Sequence, residues 1–434
     1  MSRTSQPAPF VCLIAPNVSE QMGGEAIKSL QIYLELEARG VSVHQITHAR
    51  VRAEMSQKHP AMSITYIEDD WLQRLCWKSI VLRPIVGVIF SQRASAAARM
   101  LIEDHPRAVV HHTAPVSPVI PTARVKGCPV VIGPINGNIH HPPAFRGRES
   151  WGDFCRRLFL TPAQLLHRAF FSGKQAADVL LVAGGERTYQ SLRLAGCRES
   201  QFRDSLDSGI PSGLRDDPLI VHEGRNFRFV HNGRIVPHKG ADLIIKSLTL
   251  TRNRVELDVI GRGPEKARLE RLTADLGVQD RVHFIDWFPV HDRLQEALRG
   301  YRGFVFPSLA EANGIVVQEA MMMGLPAICA DWGGPSLLVT PDSGVLVPPT
   351  SEAALVAGLA EAMDRLGEDA DLANRLANAG RALAVERGFS WDDLIGHWIE
   401  MYDELAESRA ANLGPPSASQ SRPGKHSAEG VGKA

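Results

Sequence analysis

The chain has 434 residues, of which 44% are hydrophobic and 22% are charged, and its formal net charge is zero. This composition excludes a fibrous or intrinsically disordered protein, and the length predicts two or three domains with cores of their own. Residues 1–205 carry 24 Lys and Arg against 16 acidic residues, whereas residues 206–434 carry 24 against 32. A basic half without Lys/Arg-rich runs argues against nucleic acid and favours an anionic small substrate or an anionic membrane surface.

The first half alternates short apolar runs with helical segments, which is typical of a parallel α/β sheet. A loop containing Gly23-Gly24 separates a predicted strand from a predicted helix that ends at Gly40. This order indicates a doubly wound sheet with a ligand at the loop. Strands are predicted at residues 10–15, 41–47, 108–111, 129–132 and 179–183, and the helix at residues 25–39.

The second half repeats this organisation after a polar linker, residues 209–225. Its strands are predicted at residues 226–231, 255–260, 282–285, 303–306 and 327–330, and its helices at residues 241–248, 265–276, 314–323, 352–366 and 371–387. One more amphipathic helix is predicted at residues 389–407. Residues 411–434 are rich in Ser, Pro, Gly and Lys and are predicted to be disordered.

The six cysteines show no CxxC spacing, so we expect reduced core thiols of a cytoplasmic protein. No uninterrupted apolar run approaches 18 residues, and the run at residues 10–15 is too short for a signal peptide. The chain is therefore predicted not to span a membrane.

Two glutamates, Glu311 and Glu319, lie eight positions apart around the start of the predicted helix at residues 314–323. Backbone N–H groups of Asn313, Gly314 and Ile315 would face outward at the helix N-terminus, where an anion is stabilised. A carboxylate on each side of this N-terminus could accept hydrogen bonds from the hydroxyls of a sugar attached to that anion.

Two cations, Arg234 and Lys239, lie in a glycine-bounded loop between a predicted strand and a predicted helix. A planar guanidinium and a mobile ammonium together bind a diphosphate ester well. Taken alone, Arg234 and Lys239 could also be two solvated cations of a surface loop. The glutamate pair, predicted at the same edge of the sheet, favours diphosphate binding.

These motifs resemble those of the retaining glycosyltransferases of family 4, within glycosyl transferases group 1. The resemblance covers nearly the whole chain and is strongest over residues 226–350, where Asp331-Trp332-Gly333-Gly334 also matches. It implies the GT-B fold, in which two doubly wound Rossmann-like domains face a deep cleft. The domains would be residues 1–208 and 226–388, with residues 389–410 crossing back onto the first.

The resemblance implies that the second domain binds a nucleotide-diphosphate sugar. Arg234 and Lys239 would hold the diphosphate, Glu319 the ribose hydroxyls and Glu311 the transferred sugar. The further donor-binding residues that it implies are Gly23, Gly24, Gly261, Gly263, Trp287, Asn313, Gly314 and Ile315. Fixed cations would replace a divalent metal, so we expect neither a metal nor a cofactor beyond the donor substrate.

A histidine that faces the donor sugar is also implied, as a fourth catalytic residue beside Glu311, Arg234 and Lys239. We favour His112; His111 is the rival, because adjacent strand residues point to opposite sides of a sheet. A histidine that only supports the core is the other interpretation.

The expected activity is retaining transfer of a hexose from a UDP- or GDP-sugar to a hydroxyl of a glycan or lipid-linked acceptor. The setting implied is bacterial surface polysaccharide, exopolysaccharide or glycolipid synthesis. Two alternatives stay open: a nucleotide-sugar epimerase of the same architecture, and a non-catalytic nucleotide-sugar binder.

Residues 151–171 mix aromatic and aliphatic residues with Arg156, Arg157, His167 and Arg168. An amphipathic helix on an anionic membrane would explain this pattern, and so would a core helix with a polar outer face. We therefore expect a cytoplasmic protein, with peripheral contact at the inner face of the plasma membrane under the first of these interpretations.

Overall fold

The computed structural model describes residues 8–71, 73, 75, 83–286 and 296–413. Trp287, the arm before residue 8 and the predicted disordered residues from 414 onward lie outside this part of the chain. The predicted tail began at residue 411, but helix continues to Leu413.

A seven-stranded parallel sheet organises the first half, in the order β3-β2-β1-β4-β5-β6-β7. Its strands are β1 (Phe10–Ile14), β2 (Ser42–His48), β3 (Ile64–Ile67), β4 (Val109–His112), β5 (Val130–Ile135), β6 (Val179–Val182) and β7 (Phe202–Asp204). Its helices are α1 (Gly24–Ala38), α2 (Arg52–Lys58), α3 (Arg83–Ile102), α4 (Trp151–Phe170) and α5 (Glu186–Leu194). Buried side chains cover both faces of this sheet, which accounts for the continuous apolar runs of the central strands.

A six-stranded parallel sheet organises the second half, in the order β10-β9-β8-β11-β12-β13. Its strands are β8 (Arg228–Asn232), β9 (Glu256–Ile260), β10 (Val282–Ile285), β11 (Gly303–Phe306), β12 (Ala327–Ala330) and β13 (Gly344–Val347). Its helices are α6 (Ala241–Ser247), α7 (Lys266–Asp275), α8 (Ile315–Met323), α9 (Pro335–Leu338), α10 (Glu352–Glu368) and α11 (Ala370–Glu386). The predicted fold class of two doubly wound α/β units is confirmed.

The last helix, α12 (Trp391–Leu413), returns to the first sheet. Its apolar side chains Trp391, Ile395 and Trp398 lie in one buried cluster with Val11 and Leu13 of β1. Before it, Ile210 of the linker bridges to Ser390, so the two chain crossings between the domains run side by side.

Helix α3 is long and apolar enough to cross a membrane by length and composition, with a mean hydropathy of 1.3 over Ile85–Ile102. Arg93 and Arg99 lie within this stretch, so it is not an uninterrupted apolar run. In the structure Phe90, Ala94 and Ala98 of this helix are buried in a cluster with strands of the first sheet. That packing is typical of a core helix.

Candidate active site

A cavity of about 990 Å³ lies between the two domains and is lined by residues from both. It opens where loops follow the carboxyl ends of the parallel strands, the usual place for a ligand in doubly wound sheets. The sequence-predicted residues that line it are Gly24, Glu311, Asn313, Gly314, Ile315 and Glu319. Gly23 lines an adjoining cavity of about 440 Å³ together with Gly24.

The loop that carries Glu311 is held by the glycine pair Gly333-Gly334. The Gly334 N–H donates to the Glu311 carbonyl oxygen at 2.9 Å. A Cβ atom at Gly334 would lie 2.3 Å from the Asn313 oxygen, and one at Gly333 would lie 2.7 Å from the Glu311 oxygen. Any larger residue would therefore displace the loop, which is why two glycines stand there.

Helix α8 begins directly after this loop, with Gly314 as its N-cap at φ 100° and Gly324 as its C-cap at φ 78°. Its first hydrogen bonds are donated by Val317 and Gln318 to the Gly314 oxygen. The backbone N–H groups before them lie at the positive end of the helix dipole, at the cavity wall.

Glu319 lies in the second turn of α8 and is buried except where it lines the cavity. Burial raises the pKa of its carboxyl group from 4.5 to about 7. A carboxyl group with a pKa near neutrality can donate or accept a hydrogen bond at physiological pH.

The loop between β8 and α6 carries the two predicted cations. It rests on a second loop, since Cβ atoms at Gly261 and Gly263 would lie 2.0 Å from the Gly233 oxygen and 2.1 Å from the Ile235 oxygen. Both glycines thus support the loop backbone, and the structure places neither in the cavity wall. Arg234 is exposed at the start of the loop.

Lys239 and Glu311 form an ion pair that joins the two predicted motifs. The backbone supports this pair, because the Leu309 N–H donates to the His238 oxygen at 2.8 Å. The Lys239 ammonium also lies 4.8 Å from the centre of the Phe306 ring. The structure therefore brings Lys239 and Glu311 together, and Glu311 shares the wall of the main cavity with Glu319, whereas neither Lys239 nor Arg234 is among the residues that line this cavity. A ligand phosphate could compete with Glu311 for the ammonium.

The two histidines of β4 point to opposite sides. Both nitrogens of His111 are engaged, Nδ1 with the Tyr402 hydroxyl at 2.6 Å and Nε2 with the Gly133 oxygen at 2.9 Å. His112 is buried, and its Nε2 has no hydrogen-bond partner among the described residues. Burial lowers the pKa of His112 to about 3, so it is neutral. It lines a separate cavity of about 110 Å³, so its role at the donor sugar stays a prediction.

Arg187, in the first turn of α5, is a cation that the sequence prediction missed. Its Nε and Nη2 atoms are buried and lack a hydrogen-bond partner within the described chain. Burial lowers its pKa, while the charge of Glu311 opposes that shift. Asn136, which lines the main cavity, also has both side-chain polar atoms unpartnered in the described ranges. The first domain thus offers unused hydrogen-bonding groups opposite the glutamate loop, a feature without a local sequence signal.

We expect Glu319→Gln to stabilise the ligand-free protein above pH 7. Below pH 4.5 the carboxyl is protonated in both states, and between pH 4.5 and 7 the unfolded chain releases its proton first. The free energy of unfolding therefore falls as pH rises, by on the order of 3 kcal/mol across this range. Glutamine does not titrate and avoids this loss.

Thermal midpoints at pH 5 and pH 8 measure this effect, with Glu361→Gln on the exposed side of α10 as the control. The advantage of Glu319→Gln should be larger at pH 8 than at pH 5. An advantage of the same size at both pH values would contradict the raised pKa.

In the part of the chain that the structure describes, no group of three or more His, Cys, Asp or Glu is placed to hold a metal ion.

Comparison with known proteins identifies similar sequences and folds. The model of the family "Glycosyl transferases group 1" matches residues 220–383. The chain is 32% identical over 183 residues to the lipopolysaccharide core biosynthesis glycosyltransferase LpsD of Rhizobium meliloti, covering 42% of this chain and 51% of that protein. It is 29% identical over 259 residues to the alpha-D-kanosaminyltransferase of Streptomyces kanamyceticus, covering 57% of this chain and 58% of that protein. The chain thus spans little more than half the length of these relatives.

The whole described architecture resembles Anabaena Alr3699/HepE, crystallised in complex with UDP. The two structures share 17% sequence identity and a TM-score of 0.62, over 91% of this chain and 100% of that chain. This likeness confirms the GT-B fold.

Proposed function

We propose that the protein transfers a hexose from a UDP- or GDP-sugar to an acceptor hydroxyl. The premise is that residues 220–383 of the chain match the family model of the glycosyl transferases group 1. The observation that carries the proposal is the Lys239–Glu311 ion pair, whose carboxylate lines the interdomain cavity together with Glu319. Cation and carboxylates at one edge fit the diphosphate and the hydroxyls of such a donor.

Departure of the nucleotide diphosphate develops negative charge on its β-phosphate. Lys239, Arg234 and the N-terminus of α8 would stabilise this charge without a metal ion. Lys239 is paired with Glu311, which lines the cavity, so the ammonium would exchange this carboxylate for the phosphate when the donor binds.

We further propose that configuration at the sugar is retained through attack on the same face. The leaving phosphate oxygen would take the acceptor proton as the acceptor oxygen bonds to the sugar carbon and the bond to phosphate breaks. Glu311 would bind hydroxyls of the transferred sugar, and no residue is assigned as a covalent nucleophile.

The acceptor we propose is a glycan or a lipid-linked sugar, reached in the cytoplasm during surface polysaccharide or glycolipid synthesis. Support comes from the name of the similar Rhizobium protein, which refers to lipopolysaccharide core biosynthesis. Five cysteines in the described residues are free thiols, as a reducing compartment favours.

A thermal-shift screen across UDP, GDP, ADP and their common sugars tests the donor assignment. A ligand that binds only the folded state at 100 times its Kd adds about 2.7 kcal/mol to the free energy of unfolding. We expect one nucleotide family to raise the thermal midpoint and Lys239→Ala to remove that shift. A screen in which no nucleotide diphosphate shifts the midpoint would overturn the proposal.

The epimerase alternative needs an acid and a base from the first domain at the donor sugar. Glu25 lines the cavity, and burial raises its pKa, whereas His112 lines a different cavity. Incubation with UDP-GlcNAc without an acceptor separates these functions, because an epimer of the sugar forms only if the protein is an epimerase. Turnover of any donor excludes a non-catalytic binder.

We expect Arg187→Ala to lower kcat/KM by roughly 10–150-fold. The unpartnered Nε and Nη2 atoms of Arg187 would bond to the charged donor, and a hydrogen bond to a charged group contributes about 1.5–3 kcal/mol. Arg187→Lys should restore little, because an ammonium cannot reproduce the guanidinium fork. Nucleotide release from the donor measures both. Arg193→Ala, an exposed substitution on the same helix, is the control and should turn over at the wild-type rate.

A further inference from the structure

Helix α4 lies on the body of the first domain with its polar side inward. Its buried residues are Gln164 and His167, and Gln164 contacts Ser191 of α5. Arg157 on the same side is half-buried and pairs with Glu149 at 3.2 Å. The core interpretation of this segment, with an apolar side inward and a polar side outward, is wrong because the helix has the opposite orientation.

The outward side carries an apolar stripe along the whole helix. Trp151 and Phe170 at its two ends are 78% and 74% exposed, and Leu158 and Phe159 in the middle are 60% and 62% exposed. Leu165 and Leu166 continue the stripe and are exposed as well. Residues three and four apart share one helix face, so these side chains form a single continuous surface.

Arginines border this stripe. Residues 146–168 contain five arginines against two acidic residues, and Arg156 and Arg168 are exposed. Exposed aromatic rings at both ends, an apolar stripe between them and arginines at its edge match the interface of an anionic lipid bilayer. The net excess of basic residues in the first half of the chain points the same way.

We propose that the exposed face of α4 inserts into the headgroup region of a bilayer containing anionic lipids. A second copy of the chain fits this surface less well. A stable protein interface takes about 800 Å² from each partner and 20–30 residues a side, whereas the stripe is one convex helix of 20 residues. A bilayer needs no complementary shape.

The position of α4 connects this surface with the interdomain cleft. The segment Pro143–Arg148 directly precedes it, and there Arg148 forms an ion pair with Asp242 of the second domain. Phe145 is buried in the core cluster of the second domain. If the proposed function holds, docking through α4 would bring the mouth of the cleft close to a lipid-linked acceptor.

Flotation of the full chain with vesicles tests the proposal. We expect wild-type protein to float with vesicles of phosphatidylglycerol and phosphatidylcholine at low salt, and less at high salt. Vesicles of phosphatidylcholine alone should bind it at least tenfold more weakly. The double variant Leu158→Glu/Phe159→Glu should lose at least tenfold in affinity for the anionic vesicles.

The matched control is Val221→Glu/Leu250→Glu, which charges two apolar residues outside α4 that are 71% and 55% exposed. It should float like wild type, and both double variants should keep the wild-type melting temperature because all four positions are exposed. A nucleotide-induced thermal shift in the α4 variant shows that the donor site is intact, so failure of docking and failure of the proposed function are separate results.

Three results would overturn the proposal. The first is wild-type protein that stays with the soluble fraction at low salt, and the second is an α4 variant that floats equally well. The third is a lipid-free dimer in sedimentation that Leu158→Glu/Phe159→Glu converts to monomer, since that would assign the stripe to a second copy.

Discussion

Lys239→Ala is expected to lower kcat/KM by about 10–150-fold. The charge-assisted contact between the ammonium and the donor diphosphate contributes roughly 1.5–3 kcal/mol, and each 1.36 kcal/mol corresponds to a factor of ten in rate. The substitution also leaves Glu311 without its ion-pair partner next to the site of the diphosphate. Repulsion between the carboxylate and the phosphate should therefore place the loss at the upper end of this range.

Initial rates at saturating and limiting donor measure this loss. Arg234→Ala should show a loss in the same range, because its guanidinium is assigned to the same diphosphate. Lys246→Ala is the matched control, since Lys246 pairs with Glu352 on the outer surface of the same domain. Wild-type turnover in both Lys239→Ala and Arg234→Ala would show that the diphosphate lies elsewhere.

Glu311→Gln should depress kcat by about 10–150-fold and change nucleotide affinity far less. Glu311 is assigned to hydroxyls of the transferred sugar, and a contact that strengthens only in the transition state affects turnover and not binding. The Ala312 N–H donates to Glu311 Oε1 at 3.2 Å. Glutamine keeps the shape of the side chain and an oxygen that can accept this hydrogen bond. Folding of the loop should therefore be preserved.

Titration with the free nucleotide and with the complete nucleotide sugar separates the two effects. Glu352→Gln, on the exposed start of α10, provides a carboxylate control that should leave both measurements unchanged. If Glu311→Gln weakened the free nucleotide as strongly as it slowed turnover, Glu311 would bind the nucleotide and the sugar assignment would be lost.

The strands that the sequence predicts are mostly the central ones. Strands β1, β4, β8, β11 and β12 are buried almost throughout, so each leaves a continuous apolar run in the sequence. The strands that it missed are β3, β7 and β13, which all lie at a sheet edge and are partly exposed. An edge strand has one neighbour and less burial, and its sequence carries a weaker signal.

The loops of the site were predictable because their requirements are local. Gly314 and Gly324 occupy positive φ positions that L-residues avoid, and Gly333-Gly334 makes room for neighbouring carbonyl oxygens. The topological rule for parallel sheets then places the ends of β8 and β11 side by side, so Lys239 and Glu311 meet.

The amino-acid pattern by itself determined the two doubly wound sheets, the glycine-bounded loops and the shared edge of the second sheet, since these follow from nearest-neighbour sterics and burial. Tertiary structure alone decided which of His111 and His112 contacts α12, that Arg187 lies opposite Glu311, and that the apolar side of α4 faces outward. Helical and strand periodicities indicate which residues share a face. Whether that face points into the core or to solvent depends on packing between segments far apart in the chain.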